Sequence, residues 1–166
     1  MLGGRVIYRV LAENGYIDLA YNMIVRPDYP SYGNWIARGA TTLWEMFQSE
    51  GSDRIGSLNH HFWGDISSWF TQALSGIRMA PHGEPNEVDF RPSFISRLTH
   101  AEAFHIAPAG RIASAWERDE DDVIMLTVEL PSTMHGVIRL ESGYVFEDGL
   151  AYKAAESGTY RIHSIE

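Results

Sequence analysis

The chain has 166 residues, of which 45% are hydrophobic and 12% aromatic, a composition typical of one globular domain or two small ones. Its formal net charge is −9 and its 13 basic residues are dispersed. This argues against nucleic-acid binding, because surfaces that bind nucleic acids carry clusters of Lys and Arg. The absence of cysteine excludes disulfides and thiolate metal sites. No apolar run approaches the roughly 20 residues that cross a bilayer, so we expect neither nucleic acid nor membrane as a partner.

The first part of the sequence has the apolar periodicity of helices. Residues 6–11 predict a helix that ends near Gly15, and residues 17–24 predict a second, which is stopped by Pro27. The third stripe, over residues 66–77, has apolar side chains at intervals of three and four. These side chains are Ile66, Trp69, Phe70, Ala73, Leu74 and Ile77.

After Pro81 the pattern changes to short runs rich in β-branched and aromatic residues. The clearest strand is residues 123–130, with a solvated hairpin turn expected over residues 117–122 before it. Further strands are expected at residues 88–90, 103–106, 112–116, 137–140 and 160–165. This spacing predicts an antiparallel β-sandwich with Trp116 in its core, and a boundary in the Gly- and Pro-containing stretch from Met79 to Pro85. The fold class is therefore α+β, with domains at residues 1–78 and 86–166.

The most informative feature is the stretch Gly39–Glu45, followed after a polar gap by Ser57–His61. It places the carboxylate of Glu45 beside the indole of Trp44 and, a short loop later, adds a polar cluster with an imidazole, as sugar-binding clefts often do. An arbitrary member of a set of 22 acidic residues is most often a surface charge. However, residues 41–44 are too apolar and β-branched for a solvated helix face, which favours a functional role for Glu45.

The sequence GATTLWE followed by SLNH resembles the last catalytic segment of bacterial α-L-rhamnosidases, inverting glycosidases built on an (α/α)6 toroid. The resemblance continues upstream through Asp28–Gly33 and downstream through Trp69–Ile77, and then into a β-rich tail that ends at Ser157–Arg161. The resemblance covers essentially the whole of this chain, but only the C-terminal end of the family's sequences. It implies about three helices from the end of the toroid, followed by a C-terminal antiparallel β-sandwich.

The resemblance also implies roles for individual residues. Glu45 corresponds to the general base, and His60 to the histidine that contacts rhamnose hydroxyls. Asn59 either binds sugar or holds the loop, and Trp44 either stacks on a sugar face or is buried. His61 is the variable neighbour, standing where an aromatic residue is more usual. Inverting hydrolysis needs two carboxyl groups, and the resemblance puts the general acid on earlier helices, outside this chain.

Other features favour structural roles or an absence of ligands. Adjacent histidines in an extended loop are expected to point to opposite sides, and no His-x-His or His-x-x-x-His spacing occurs, so we expect no metal site. The function that the resemblance implies requires no organic cofactor. Trp63, Trp69 and Phe70 are interpreted as core residues. The segment Tyr29–Gly33 resembles a family loop near the cleft and is equally consistent with a helix-to-helix turn.

The expected function is part of an α-L-rhamnosidase, which removes terminal α-linked L-rhamnose from glycans or glycosides with inversion. The isolated chain is expected to be an incomplete, inactive fragment or a split subunit whose partner is the missing upstream toroid helices. The alternative is a non-catalytic carbohydrate-binding or structural β-sandwich module. The start of the sequence lacks the layout of a signal peptide, so the protein is either cytoplasmic or exported with a signal outside this chain.

Overall fold

The computed structural model describes residues 2–48, 51 and 56–165, with side chains from residue 6 onward within these ranges. The chain forms two compact units, Met1–Trp69 and Phe70–Glu166, which are helical and β-rich respectively. In the described part of the chain, no helix has the length and apolar character needed to cross a membrane. The α+β fold class predicted from the sequence is confirmed.

The helical unit contains four α-helices and one short 3₁₀ turn in its described part. They are α1 (Leu2–Glu13), α2 (Ile17–Val25), α3 (Tyr32–Ala37), the 3₁₀ turn (His61–Trp63) and α4 (Asp65–Trp69). The chain leaves α1 through Gly15, whose φ of 82° lies in the left-handed region that suits glycine. Helix α2 buries Ile17, Ala20 and Ile24, so the second predicted stripe is confirmed.

Helix α3 was not predicted, because its six residues are too few for a periodic signal. It begins at Ser31, whose Oγ accepts a hydrogen bond of 2.8 Å from the backbone N–H of Asn34, the standard arrangement at a helix N-cap. The adjoining turn is tight: a Cβ on Gly33 would lie 2.3 Å from the carbonyl oxygen of Val25. The segment Tyr29–Gly33 thus completes the turn between α2 and α3 and provides the first two residues of α3.

The third predicted helix is shorter than expected. After α4 the chain makes a π-helical turn, Phe70–Leu74, and Ile77 already belongs to a strand. Gly76 ends the helical path with a φ of 78°. Ala73, Leu74 and Ile77 of the predicted stripe remain buried. Trp69 is buried as predicted, whereas Phe70 exposes 37% of its surface, so the core assignment was wrong for Phe70.

Within its described residues, 70–165, the β-rich unit contains nine strands in two sheets. The strands are β1 (Ile77–Met79), β2 (Glu87–Phe90), β3 (His100–Ala107), β4 (Gly110–Arg118), β5 (Ile124–Glu129), β6 (His135–Arg139), β7 (Tyr144–Phe146), β8 (Tyr152–Ala154) and β9 (Gly158–Ser164). One sheet has the order β1-β2-β6-β8 and the other β3-β4-β5-β9-β7. Every neighbouring pair is antiparallel except β2 and β6, which are parallel. The stretch Met79–Pro85, expected to be a boundary, connects β1 to β2.

The hydrophobic core lies between the two sheets. Phe90 and Ile138 contribute from the four-stranded sheet, and Leu126 and Ile162 from the five-stranded one. Strand β5 alternates buried and exposed residues along its whole length, as a strand with one face in a core must. Trp116 is 1% exposed and its indole N–H donates to the carbonyl oxygen of Leu74 at 2.9 Å, so its predicted core position is confirmed.

Three strands were not anticipated, namely β1, β7 and β8, each of which has three residues. Such strands are too short to show an alternating pattern by themselves and exist because a longer neighbour supplies their hydrogen-bonding partners. The parallel pairing of β2 with β6 depends on a glycine. A Cβ on Gly136 would lie 1.6 Å from the carbonyl oxygen of Val88, so no larger residue fits this register.

Candidate active site

Two irregular segments of the helical unit, residues 39–48 and 56–60, bring the two halves of the sequence motif together. They lie side by side and are joined by backbone hydrogen bonds. These bonds run from the N–H of Glu45 to the oxygen of Ser57 at 2.9 Å and from the N–H of His60 to the oxygen of Leu43 at 2.8 Å. The antiparallel pairing places Glu45 and His60 on adjacent segments, although they are far apart along the chain.

Glu45 is held by both its side chain and its backbone. Its Oε2 accepts a hydrogen bond of 2.9 Å from the backbone N–H of Ser57, and its carbonyl oxygen accepts one of 3.0 Å from the indole Nε1–H of Trp63. The carboxylate is half-buried, and among the described residues no hydrogen bond reaches Oε1. A Cβ on Gly56 would lie 3.0 Å from Cε of Met46 and 3.1 Å from Oε2 of Glu45, so a larger residue here would require these side chains to shift slightly.

The imidazole of His60 caps the 3₁₀ turn that follows it. Its Nδ1 accepts a hydrogen bond of 3.2 Å from the backbone N–H of Phe62. Since a nitrogen that accepts a hydrogen bond carries no proton, this contact assigns the tautomer with the proton on Nε2. The ring therefore has a donor, Nε2–H, available on the side opposite to the cap.

The two neighbouring histidines do not point to opposite sides, contrary to the expectation from the sequence. The rings of His60 and His61 are nearly parallel, with an angle of 4° between their planes and 5.5 Å between their centroids. The reason is that the chain is extended only up to His60 and turns into the 3₁₀ segment at His61. Within the described ranges, no group of three or more His, Cys, Asp or Glu side chains is placed to hold a metal ion.

Trp44 lies at the edge of an aromatic cluster formed by Tyr32, Trp35, Phe47 and Trp63. It is half-buried, its ring centroid is 6.1 Å from that of Trp35, and the guanidinium carbon of Arg38 lies 5.6 Å from its centroid. Trp44 thus combines packing against the cluster with a cation–π contact, and part of its surface remains accessible.

The aromatic cluster forms a compact support beneath the motif. Trp35 and Phe47 stack with centroids 4.5 Å apart, and Phe47 and Trp63 follow at 5.2 Å. Tyr32 packs edge-on against Trp35 at 5.2 Å, and its hydroxyl donates to the carbonyl oxygen of Trp63 at 3.3 Å. Contacts of this kind stabilise beyond the apolar area that they bury.

Asn59 is exposed, and its backbone shapes the loop. Its N–H donates to Oγ of Ser57 at 3.2 Å and its carbonyl oxygen accepts from the same hydroxyl at 3.1 Å. These bonds close a local turn of the type that serine favours. The side chain of Asn59 is therefore presented to solvent next to His60.

Sequence reasoning missed the residues that hold Glu45 in place. Ser57 acts through its backbone N–H, which no side-chain motif reveals. Trp63 was assigned to the core, and it is buried there at 5% exposure. Its indole N–H, however, points at the backbone of Glu45, 18 residues away.

Comparison with protein families matches two segments of the chain. Residues 1–74 match the bacterial alpha-L-rhamnosidase 6 hairpin glycosidase domain, and residues 86–144 match the bacterial alpha-L-rhamnosidase C-terminal domain. Among curated relatives, an alpha-L-rhamnosidase of Formosa agariphila is 34% identical over 138 residues, which is 80% of this chain and 15% of that protein. One from an Alteromonas species is 35% identical over 126 residues, or 72% of this chain and 14% of that protein.

Solved structures show the same similarity. An alpha-L-rhamnosidase from Dictyoglumus thermophilum superposes with a TM-score of 0.79 at 26% identity, and the match covers 98% of this chain and 20% of that one. The Streptomyces avermitilis alpha-L-rhamnosidase, solved in complex with L-rhamnose, has a TM-score of 0.76 at 24% identity, covering 93% and 16% of the two chains. The chain thus spans about 15% of the length of the curated relatives that it matches.

Proposed function

This chain belongs to the bacterial α-L-rhamnosidase family, as part of its C-terminal region, and from this premise we propose that it supplies the general base of a rhamnosidase active site. The proposed reaction is the hydrolysis of terminal α-linked L-rhamnose from glycans or glycosides, with inversion at the anomeric carbon. Glu45 is the proposed base. The observation that carries the proposal is the way in which Glu45 is held.

The hydrogen bond from the Ser57 N–H to Oε2 at 2.9 Å supports this assignment because it fixes the direction of the carboxylate. With Oε2 engaged, Oε1 is the oxygen that takes a proton from water. The water oxygen then forms a bond to the anomeric carbon while the bond to the leaving oxygen breaks, and a general acid protonates that oxygen. Attack from the face opposite to the leaving group produces inversion.

His60 is the proposed rhamnose contact. Its Nδ1 is used by the N–H of Phe62, so Nε2–H is the donor for a sugar hydroxyl. The accessible part of Trp44 and the exposed amide of Asn59 are proposed as further sugar contacts on either side of it. No step of the proposed reaction requires a metal or an organic cofactor.

The general acid is proposed to come from toroid helices that are not among these 166 residues. Proton donation by a positioned acid typically contributes a factor of about 10² to 10⁴ in rate. We therefore expect that the 166-residue chain by itself does not turn over an aryl α-L-rhamnoside. Turnover comparable with that of an intact glycosidase would contradict the proposed division of the two carboxyl groups.

The base assignment is tested in a chimera. Residues 1–166 replace the matching segment of the Dictyoglumus enzyme, which aligns with 98% of this chain. Glu45→Gln keeps the size of the side chain and its ability to accept from Ser57 but cannot take a proton from water, so kcat falls by roughly 10² or more. Glu13→Gln, at an exposed position of α1, is the matched control and keeps parental activity.

Two readouts accompany the rate. Circular dichroism and melting temperature show that Glu45→Gln folds normally, and proton NMR of the first product establishes whether β-L-rhamnose forms, as inversion requires. Near-parental turnover of Glu45→Gln would refute the base assignment, and retention of configuration would refute the proposed mechanism.

A further inference from the structure

The backbone of Glu45 is held by a buried tryptophan. Trp63 is 5% exposed, and its indole N–H donates to the Glu45 carbonyl oxygen at 3.0 Å. Removing the partner of a buried N–H costs free energy, because the N–H is then satisfied neither by protein nor by water. The contact therefore ties the position of the Glu45 peptide to that of the Trp63 ring.

The ring of Trp63 is itself fixed on several sides. Its centroid is 5.2 Å from that of Phe47 and 5.1 Å from that of Phe62, which it meets edge-on. The backbone carbonyl oxygen of Trp63 accepts a hydrogen bond from the hydroxyl of Tyr32. A ring packed in this way has little freedom to follow a moving partner, so it acts as a fixed point against which Glu45 is placed.

Trp63 also belongs to the 3₁₀ turn that His60 caps. One turn of three residues thus contacts both the proposed sugar donor and the proposed base. Nδ1 of His60 accepts a hydrogen bond from the turn, and the indole N–H of Trp63 donates one to the Glu45 backbone. A shift of this turn would move the proposed base and the proposed sugar donor together.

We propose that Trp63 is a positioning residue for Glu45, which acts through its indole N–H to keep the carboxylate on the N–H of Ser57. This inference rests on the proposed function of Glu45. The residue does not touch substrate, and its effect on catalysis is transmitted through the Glu45 backbone.

Trp35 offers a matched control within the same cluster. It is as deeply buried as Trp63, at 2% exposure, and stacks on the same Phe47. Its indole N–H, however, has no hydrogen-bond partner in the described part of the chain. Trp→Phe at either position removes similar ring volume, but only at Trp63 does it remove a hydrogen bond to Glu45.

The first experiment uses the 166-residue chain and needs no activity. The backbone amide proton of Ser57 is followed by NMR as pH is lowered through the range in which carboxyl groups protonate. Because it donates to Oε2 of Glu45, its chemical shift is expected to follow the charge of Glu45, and Glu45→Gln abolishes that response. Trp63→Phe is expected to lose most of the response, and Trp35→Phe to keep it. An undiminished response in Trp63→Phe would overturn the proposal.

If Trp63→Phe does not fold, benzothienylalanine is placed at this position instead. It has a sulfur atom in place of the indole N–H, so it removes the donor while keeping the size of the ring. Loss of the Ser57 response in this variant supports the proposal, and its persistence overturns it.

The second experiment is a double-mutant cycle in the chimera. Trp63→Phe is expected to lower kcat for an aryl α-L-rhamnoside roughly tenfold to a hundredfold with little change in KM, which is the scale set by a misplaced catalytic group. In the Glu45→Gln background, Trp63→Phe should not lower kcat further, since its effect passes through Glu45. Trp35→Phe should leave kcat unchanged, and because Trp35 packs against the proposed sugar contact Trp44, any change that it makes should be in KM.

Equal losses from Trp63→Phe in both backgrounds would mean that Trp63 acts only on the general stability of the fold, and would overturn the proposal. Near-parental activity of Glu45→Gln alone would refute the proposed function of Glu45. The Ser57 response distinguishes the two failures, because it reports the position of the carboxylate whether or not the carboxylate acts in catalysis.

Discussion

The two nitrogens of the His60 ring are expected to do different work, and two substitutions separate them. In His60→Asn, the amide oxygen takes the place of Nδ1 and can still accept from the N–H of Phe62, but nothing replaces Nε2–H. In His60→Gln, the longer side chain places its amide nitrogen where Nε2 was, and the acceptor at the cap is lost. Each variant therefore keeps one function and removes the other.

The size of the stability effect follows from the cap. The bond from the Phe62 N–H to Nδ1 is 3.2 Å long, at the weak end of the normal range, and the ring is half-buried. N-cap losses cost about 0.5–2 kcal/mol, so a long bond on a single turn points to about 0.5–1 kcal/mol for His60→Gln. For a chain of this length, 1 kcal/mol corresponds to a melting-temperature decrease of about 2–4 °C.

The activity effect has the opposite order. A buried hydrogen bond to a sugar hydroxyl is worth about 0.5–1.5 kcal/mol, so we expect His60→Asn to lower kcat/KM roughly threefold to tenfold in the chimera, and His60→Gln to lower it less. The assays are thermal unfolding of the 166-residue chain and hydrolysis of an aryl α-L-rhamnoside by the chimera. If the two variants ranked in the same order in both assays, the division of roles between Nδ1 and Nε2 would be refuted.

Three further predictions concern the fold. Gly136→Ala would place a Cβ 1.6 Å from the carbonyl oxygen of Val88, so we expect β2 to separate from β6. The free energy of unfolding, measured in urea, should fall by about 3 kcal/mol or more. Gly158→Ala is the control and should be nearly neutral, because a Cβ on Gly158 would lie in open space. The pKa of Asp148 lies below its ordinary value of 3.8, mainly because the Lys153 side chain donates a hydrogen bond to the carboxylate. The contribution of Asp148 to stability is therefore present above pH 3.8 and is lost as pH falls below that value. The stability difference between parent and Asp148→Asn should shrink between pH 6 and pH 3, and a constant difference would contradict this assignment. Finally, the α1 side chains of Val6, Ile7 and Val10 are 54%, 40% and 46% exposed. We therefore expect either that the backbone amides of α1 exchange hydrogen faster than those of β5, or that the chain self-associates. A monodisperse monomer with uniformly slow exchange would count against this.

Local pattern was sufficient for much of the fold. The alternation in residues 124–129 and the acidic turn before them identify β5 and its hairpin, because a strand with one buried face must alternate whatever its neighbours are. The stripe of α2 was equally clear, since its three buried positions fall on one face. The motif residues Glu45 and His60 were recognised from their sequence context, and the family that this context resembles is the one to which the chain belongs.

Other features were decided only by tertiary structure. The turn into β1 at Gly76 and the parallel pairing of β2 with β6 at Gly136 depend on close approaches between distant backbone segments, which no local period encodes. The same holds at the candidate site. Nothing near Glu45 in sequence indicates that a backbone N–H and a buried indole N–H, 12 and 18 residues away, hold its carboxylate and its carbonyl oxygen.

The physical reason is the range of the interactions. Hydrophobic periodicity is a property of a few consecutive residues, so the sequence by itself determined the longer helices and strands and the residues that carry the family's motif. A hydrogen bond across a loop exists only once both segments have been packed into place. The tertiary structure therefore decided how the carboxylate of Glu45 is oriented, and that the turn capped by His60 also holds the backbone of Glu45 through Trp63.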